Sequence, residues 1–467
     1  MNFNEYTVII RKSKLADFSY PLHGYYVLTP AGVSLRNNLF NFIEKRLAEI
    51  GYAEYDFPVI IPKDFLDSQK ELEDFSKGSI WAIFPDNTGF QKEVYLRPSG
   101  EGAIYPIVKN WIRNHADLPI KIICKNLFFR PPRKQTAPFF IGPGKPMFEG
   151  HSFFESADNI EAELMKLTKI FEKSWNEFGF STILLEIPKE GNKKISEKSI
   201  GFMTQTGFGK PAMLCMLYNQ GELYSKALKI EYDTKDGLKK NANQLCFGFT
   251  DRPIGTMISI FSSGSNICLS PEIVETQIAI LCFVKKESPA KKEISDVCEN
   301  IKSKLLNSGY RARIIIPSDG EKIFEKIENL GIPLRISFGE KELFSKKVKV
   351  FDTYFKNEKE CKEDSITSVV QSMLDTISKE LFAKSATLLK KSIRKASSIM
   401  EIQANLDKKL ISEFSWCLSK ECQTKIENLP DGEILGTELN SKLKRVKSSK
   451  CIVCGKNGFK SFFGLRT

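Results

Sequence analysis

The sequence predicts a multidomain α+β protein, and three observations carry that prediction. Through residue 275, apolar runs of strand length are mixed irregularly with helical periods, and several neighbouring runs read as antiparallel pairs. From residue 276 the pattern becomes a regular alternation of strand and helix. Near the C-terminus four cysteines cluster behind a long Lys/Ser-rich helical stretch. The expected division is 1–275, 276–365 and 366–467, and 467 residues suffice for two or three cores.

The first unit opens on a turn-rich PLHGYYVLTPAG. LRNNLFNFIEKRLAEIGY follows with apolar residues at helical spacing and a stop at Gly51. EYDFPVIIP reads as a strand ended by Pro62. EVYLRPSGEGAIYPIVKNWI reads as a strand entering a helix through a polar turn. LPIKIICKNLFFR and FEGHSFFES read as two strands of a hairpin-like pair, and NIEAELMKLTKIFEKSWNEFGF as an amphipathic helix. ELYSKALKIEYDTKDG and the segment after it read as antiparallel strands, and RPIGTMISIFSS as the opening of a helix. In the second unit TQIAILCFV, RARIIIP, PLRISFG and KKVKVFD read as strands, with helices at EISDVCENIKSKLLNSGY and EKIFEKIENLG. Residues 356–365, KNEKECKEDS, read as a polar linker, and 366–403 as one helical stretch. There is no internal repeat.

Composition excludes several classes. Apolar content of 42% and charged content of 27% fit a soluble globular protein, and no apolar run reaches membrane-spanning length. The N-terminus lacks the basic-then-apolar order of a signal peptide, so the expected compartment is the cytoplasm, with no membrane partner. Net charge of +12 suits contact with phosphates; a solvated cationic surface is the plainer reading. Eleven cysteines, an odd number unevenly spaced, argue against a disulfide framework. Seven (Cys124, Cys215, Cys246, Cys268, Cys282, Cys298, Cys361) are expected to pack as small hydrophobes. The other four, Cys417, Cys422, Cys451 and Cys454, form C-x4-C and C-x2-C pairs. Four thiolates suit a closed tetrahedral structural Zn2+ site; four free buried cysteines are the alternative.

The layout and several motifs resemble prolyl-tRNA synthetase of the compact archaeal and eukaryotic type, over nearly the whole chain. DFPVIIPKDFL is similar to the first class II motif, with Pro58; YLRPSGEGAIY to the family's arginine-proline-threonine-serine-glutamate segment; and WIRNHADLPIKI to the link after it. Phe128 to His151, FFRPPRKQTAPFFIGPGKPMFEGH, resembles the second motif, and TDRPIGTMISI the third. GIPLRISFG is similar to the anticodon domain's signature, and CLSKEC…CIVCGK to the family's zinc ribbon. The resemblance implies a class II synthetase-like antiparallel-sheet catalytic domain, an α/β anticodon-binding domain and a C-terminal zinc-binding domain. It also implies a homodimer, tRNA and a proline-like amino acid as partners, and ATP with Mg2+ where activity is retained. The short interval between the second and third motifs leaves no room for the bacterial type's editing insertion.

By that resemblance, Arg130 and Arg252 match the two class II arginines that hold ATP and stabilise transition-state charge; a surface or ion-paired arginine is the alternative for each. Ser99 stands at the family's threonine, Glu101 at the glutamate facing the prolyl amine, and Glu149 and His151 close the second motif. The alternative for His151 is a core histidine bonded to backbone.

The nucleotide side departs from the family. Pro132 stands where the motif has glutamate. Ile141, Pro143 and Gly144 replace two arginines and a glutamate, and Met147 and Phe148 replace tryptophan and glutamine. Met213, Met216 and Tyr218 replace glutamine, threonine and histidine. Phe261, Ser262, Ser263 and Gly264 replace His-Gly-Asp-Asp. Loss of one preorganised donor costs roughly 10²–10³ in rate, and Lys145 is the one lysine or arginine from Pro138 to His151, expected to be mobile. In the anticodon segment Glu328 and the Gly331-Ile332-Pro333 turn remain, and Leu330 replaces a lysine, so base readout is reduced. Two readings follow. One is a catalytically impaired paralogue, a pseudoenzyme that binds tRNA, amino acid or a protein partner. The other is an active proline–tRNA ligase, forming prolyl-adenylate at a divergent ATP site.

Overall fold

The computed structural model describes residues 1–67, 72, 80–82, 93–130, 136–188, 195–264, 266–284, 288–318 and 322–466. Among these, twelve strands form one sheet that runs from the catalytic-type unit into the cysteine-bearing unit. Its centre is a run of six antiparallel strands that departs from chain order. Ile120–Phe129 pairs antiparallel with Gly144–Phe154, which pairs with Asn243–Thr250, then Pro211–Gly221, Lys198–Gln205 and Ile183–Glu186. The expected hairpin-like pair, the amphipathic helix (Ala157–Glu177) and the third-motif helix (Arg252–Phe261) are all present. Helices Pro30–Ala48, Ala157–Glu177 and Ile366–Ser392 contribute buried residues to the largest apolar core, at Leu39, Ile43, Phe171, Trp175 and Ile377 among others. Burial of such side chains contributes about 1.5–3 kcal/mol each, which fixes the sheet that carries the candidate site.

Four local expectations change. The segment at ELYSKAL is a helix, Leu223–Leu228, because Tyr224, Ser225 and Leu228 are buried on one side and Lys229 closes it at φ 56°. Only then comes the hairpin Glu231–Asp233 with Lys239–Asn241. EYDFPVIIP splits into Ala53–Glu54 and Ile60–Pro62, on either side of Pro58, which has no N–H to give to a ladder. The polar linker contains a strand, Glu358–Cys361, paired with Val348–Phe351. The long helical stretch breaks after Ser392, where Ile393–Lys395 pairs parallel with Ile411–Glu413.

The α/β unit has a five-stranded sheet with Ile278–Cys282, Ala312–Ile315 and Leu334–Phe338 parallel, as the alternating pattern predicts. The cysteine-bearing unit adds its strands to the main sheet: Thr437 and Glu438 pair with Glu186 and Leu185. Arg445 makes a bidentate ion pair to Glu186 at 2.8 and 2.6 Å across the same joint. No helix among the described residues is long and apolar enough to cross a membrane.

Candidate functional site

The site is built where a strand meets a helix behind the central hairpin. Strand Val94–Leu96 leads through Arg97, Pro98, Ser99 and Gly100 into helix Glu101–Trp111. Glu101 is the helix's first residue, where the partial positive charge of the terminus favours a carboxylate. Gly100 leaves room for the Glu149 carboxylate: a Cβ there would lie 2.3 Å from Glu149 Oε1 and push that side chain aside.

These elements bring Ser99, Glu101, Arg130, Glu149 and His151 around one cavity of about 160 Å³, closed by Phe128, Met147, Tyr218, Tyr224, Cys246 and Phe247. Its wall is a buried polar chain. Arg97 is fully buried, with its guanidinium 5.0 Å from the Phe128 ring centroid and Nη2 3.1 Å from Glu149 Oε1. The other Glu149 oxygen lies 3.2 Å from His151 Nε2. His151 Nδ1 lies 3.2 Å from the Tyr105 hydroxyl, which donates to Gln220 Oε1. Burial, with Cys246 and Glu101 nearby, holds the Tyr105 phenol well above its usual range, so it stays a neutral donor. The Cys246 thiol lies 3.9 Å from Glu101 Oε1. Ser99 Oγ and the Nε and Nη1 of Arg97 are buried without a hydrogen-bond partner among the described residues. Two carboxylates and an unpartnered hydroxyl in a cavity this small suit a small ammonium-bearing ligand, with Arg130 at the rim for its carboxylate.

Arg252 lies elsewhere. It starts helix Arg252–Phe261 and lines a second cavity of about 540 Å³ with Met213, Met216, Glu427, Glu433 and Arg466. The last three come from the cysteine-bearing unit. Tyr218 lines the first cavity and not the second. Phe261 is buried, and its carbonyl accepts from Lys384 Nζ at 2.8 Å, so the end of the third motif faces the helix Ile366–Ser392.

The second-motif loop, described from residue 136, folds inward. Ala137 and Ile141 exchange backbone hydrogen bonds at 2.9 and 3.0 Å. Phe139 turns at φ 63° and is fully buried. Phe140 packs edge-on against Tyr6 and Phe208, at 5.5 and 5.2 Å, and Tyr6 donates to the Pro138 carbonyl at 2.7 Å. Pro132 lies outside the described residues. Lys145 is not mobile: its Nζ is 2.5 Å from Asp251 Oδ1, a fully buried carboxylate. Burial pushes the Lys145 ammonium below its ordinary range, against the pull of Asp251.

In the α/β unit, Glu328 is engaged in structure, accepting from Asn266 Nδ2 at 3.1 Å and pairing with Lys356. Gly331 makes its turn at φ 67°.

The four C-terminal cysteines converge, with all Sγ atoms within 4.8 Å of one another. Cys417 ends strand Ile411–Trp416, Cys422 sits in the Ser419-capped first turn of Lys420–Glu427, and Cys451 and Cys454 flank the turn before Asn457–Leu465. Tetrahedral thiolates at about 2.3 Å from a zinc ion would be roughly 3.8 Å apart, so the donor set fits a metal ion. Burial raises the Cys417 thiol, but hydrogen bonds from Ser419 and the neighbouring thiols outweigh it and bring it to about 6.

Sequence reasoning missed Arg97, Tyr105, Gln220 and Cys246 as parts of the wall. Arg97 lay inside the quoted YLRPSGEGAIY segment and had a signal, an arginine two residues before the site serine. Tyr105, Gln220 and Cys246 carry none, since their roles arise where the helix Glu101–Trp111 packs against strands distant in sequence.

Comparison with known proteins agrees with this fold. Residues 85–261 match the tRNA synthetase class II core domain (G, H, P, S and T), and residues 277–373 the anticodon binding domain. The chain is 26% identical over 454 residues to a proline–tRNA ligase of Methanothermobacter thermautotrophicus, covering 96% of this chain and 92% of that one. It is 27% identical to the proline–tRNA ligase of Thermococcus kodakarensis (97% and 95% covered) and 28% to that of Thermoplasma volcanium (99% and 98%). The chain therefore carries a class II tRNA synthetase core and an anticodon-binding domain, and is proline–tRNA ligase-like over nearly its whole length.

Proposed function

We propose that this is a prolyl-tRNA synthetase-like protein that keeps the amino-acid pocket and is impaired in forming the adenylate, so that it acts by binding tRNA, a proline-like amino acid or a protein partner. One observation carries the reading: from residue 136, the described part of the loop that should face nucleotide phosphates is packed into the core through Phe139 and Phe140, and Lys145, the cation of that part, is held by Asp251. Phosphoryl chemistry needs fixed charge at the phosphates, and a paired, buried lysine supplies little. Purified protein should show little proline-dependent ATP–pyrophosphate exchange while binding proline in calorimetry. Robust exchange would sink this reading.

The active-ligase reading has its own support. Arg130 and Arg252 each line a cavity, and about 540 Å³ beside Arg252 is in the range of ligand pockets. In that case ATP and Mg2+ are cofactors, and the exchange assay decides between the two.

The same proposal assigns Arg130 and Arg252 as the catalytic pair, and Ser99, Glu101, Glu149 and His151 as amino-acid contacts. It divides the chain at 1–275, 276–365 and 366–467, and places it in the cytoplasm. Cys417, Cys422, Cys451 and Cys454 would hold a structural Zn2+ with no open position. Elemental analysis should find one zinc per chain, and chelation should unfold the C-terminal unit. A homodimer through the Pro58 segment is supported by exposed apolar side chains there: Tyr55, Val59, Ile60, Trp111 and Leu127 are each 37–45% exposed. Trp111→Glu should shift the mass measured by light scattering towards the monomer.

A further inference from the structure

We propose that the basic ribbon 441–456 beside the cysteine cluster is a contact surface for the phosphodiester backbone of RNA, separate from the anticodon-binding domain. Residues 441–456, SKLKRVKSSKCIVCGK, contain six Lys or Arg and no acidic residue, in a chain of net charge +12. All six (Lys442, Lys444, Arg445, Lys447, Lys450, Lys456) are exposed. The middle of the ribbon is strand Lys447–Lys450, which has every residue exposed and pairs on one side with Asn457–Leu465. Arg445 is tied to Glu186. The five lysines pair with no carboxylate among the described residues, and Lys450 reaches only the Asn457 amide oxygen, at 2.9 Å.

A plainer role would be to neutralise the metal cluster. Four thiolates on a divalent ion carry a net charge of −2. With Arg445 tied to Glu186, the five lysines exceed that by three, so most of their charge is left for an external polyanion. The ribbon offers no apolar anchor for a membrane surface: Leu443 is buried, and Val446, Ile452 and Val453 are half-buried. Ser448, exposed between the lysines, adds a hydroxyl donor of the kind that bonds phosphate oxygens. A row of lysines without bidentate or stacking groups gives positioning without sequence readout.

The inference rests on the RNA-binding part of the proposed function, and the test separates the two. Labelled tRNA is titrated with full-length protein, and the salt dependence is recorded for wild type, for Lys447→Glu/Lys450→Glu, and for Lys447→Gln/Lys450→Gln. A control, Lys169→Glu/Lys379→Glu, carries the same charge change on exposed positions of other helices. Metal content and thermal unfolding verify that each variant is folded. The ribbon variants should bind about tenfold more weakly, with the log–log salt slope reduced by about 2, while the control stays near wild type. If wild type binds tRNA and the ribbon variants match the control, the ribbon assignment falls and the RNA-binding reading stands. If wild type binds no tRNA, both fall. Lysine-dependent binding to phosphatidylserine vesicles in the absence of RNA binding would also overturn the assignment.

Discussion

The same β-hairpin carries two regions with opposite solutions to burial. Along Gly144–Phe154, Glu149 and His151 face the chain Arg97–Glu149–His151–Tyr105–Gln220, in which each charged or polar member touches the next. At the connecting loop, Ala137 to Ile141 has no charge and sinks between Tyr6 and Phe208. Buried charge persists only when partnered, so the wall can hold its place only as a unit. An uncharged stretch such as Ala137 to Ile141 has no such requirement and packs where apolar area can be removed from water. The difference teaches that the retained and altered halves of this motif are held by different forces, and they should fail differently.

The sharpest break is Arg97→Met. It leaves Glu149, almost fully buried, without its guanidinium, and should destabilise by about 3–5 kcal/mol in urea unfolding. Arg97→Met/Glu149→Leu should recover more than half of that, because the uncompensated charge is gone. A loss under about 1 kcal/mol for the single variant would mean the wall is not a coupled unit. On the loop side, Phe140→Ala should cost about 3 kcal/mol through a cavity beside Tyr6 and Phe208, yet leave proline affinity unchanged. If proline binding fell in step with stability, the two regions would not be separable.

Lys145 and Asp251 connect the regions, since the lysine sits on the hairpin strand and the aspartate precedes the third-motif helix. Lys145→Met should cost about 2 kcal/mol, and Lys145→Met/Asp251→Asn less than the sum of the singles. The pH dependence has a definite sign. Burial lowers the folded-state lysine below its ordinary value of 10.5, so between the two values the unfolded chain binds more protons. Stability from this group therefore rises with pH across that window and levels off above it. The difference in unfolding free energy between wild type and the double variant, followed on the alkaline side, should rise accordingly; a falling difference would assign the burial wrongly.

How much of this was legible in the chain follows from the range of each interaction. The hairpin strands, the helix at 157–177 and the parallel α/β unit were readable because periodicity is local. ELYSKAL misled because its apolar spacing fits two periods, and only burial of Tyr224 and Leu228 against the sheet decides for helix. Ser99, Glu101, Arg130, Glu149 and His151 were readable through motif order, and the structure brings them to one cavity. Arg130 and Arg252 match two arginines that hold one nucleotide in the family, and in the structure they line different cavities. The joining of the cysteine-bearing unit to the main sheet depends on Thr437 and Glu438 meeting strand Ile183–Glu186, more than two hundred residues away. Lys145 read as mobile because Asp251 is distant in sequence.

The smallest expected effect discriminates best, because it separates binding from folding. Ser99 Oγ is buried, lines the cavity shared with Glu101 and His151, and has no partner among the described residues. An unpaired buried hydroxyl costs free energy in the folded state, so Ser99→Ala should leave stability unchanged or raise it by up to about 1 kcal/mol. If the hydroxyl completes its hydrogen bonding with a bound amino acid, the same change should weaken proline binding about five- to tenfold, roughly 1–1.4 kcal/mol. A structural serine would give the opposite pattern, with stability falling and affinity holding. Calorimetric titration of proline beside urea unfolding distinguishes the two, and the Phe140→Ala protein serves as the reverse control. The Ser99→Ala protein would then lose affinity without losing stability, and the Phe140→Ala protein stability without affinity.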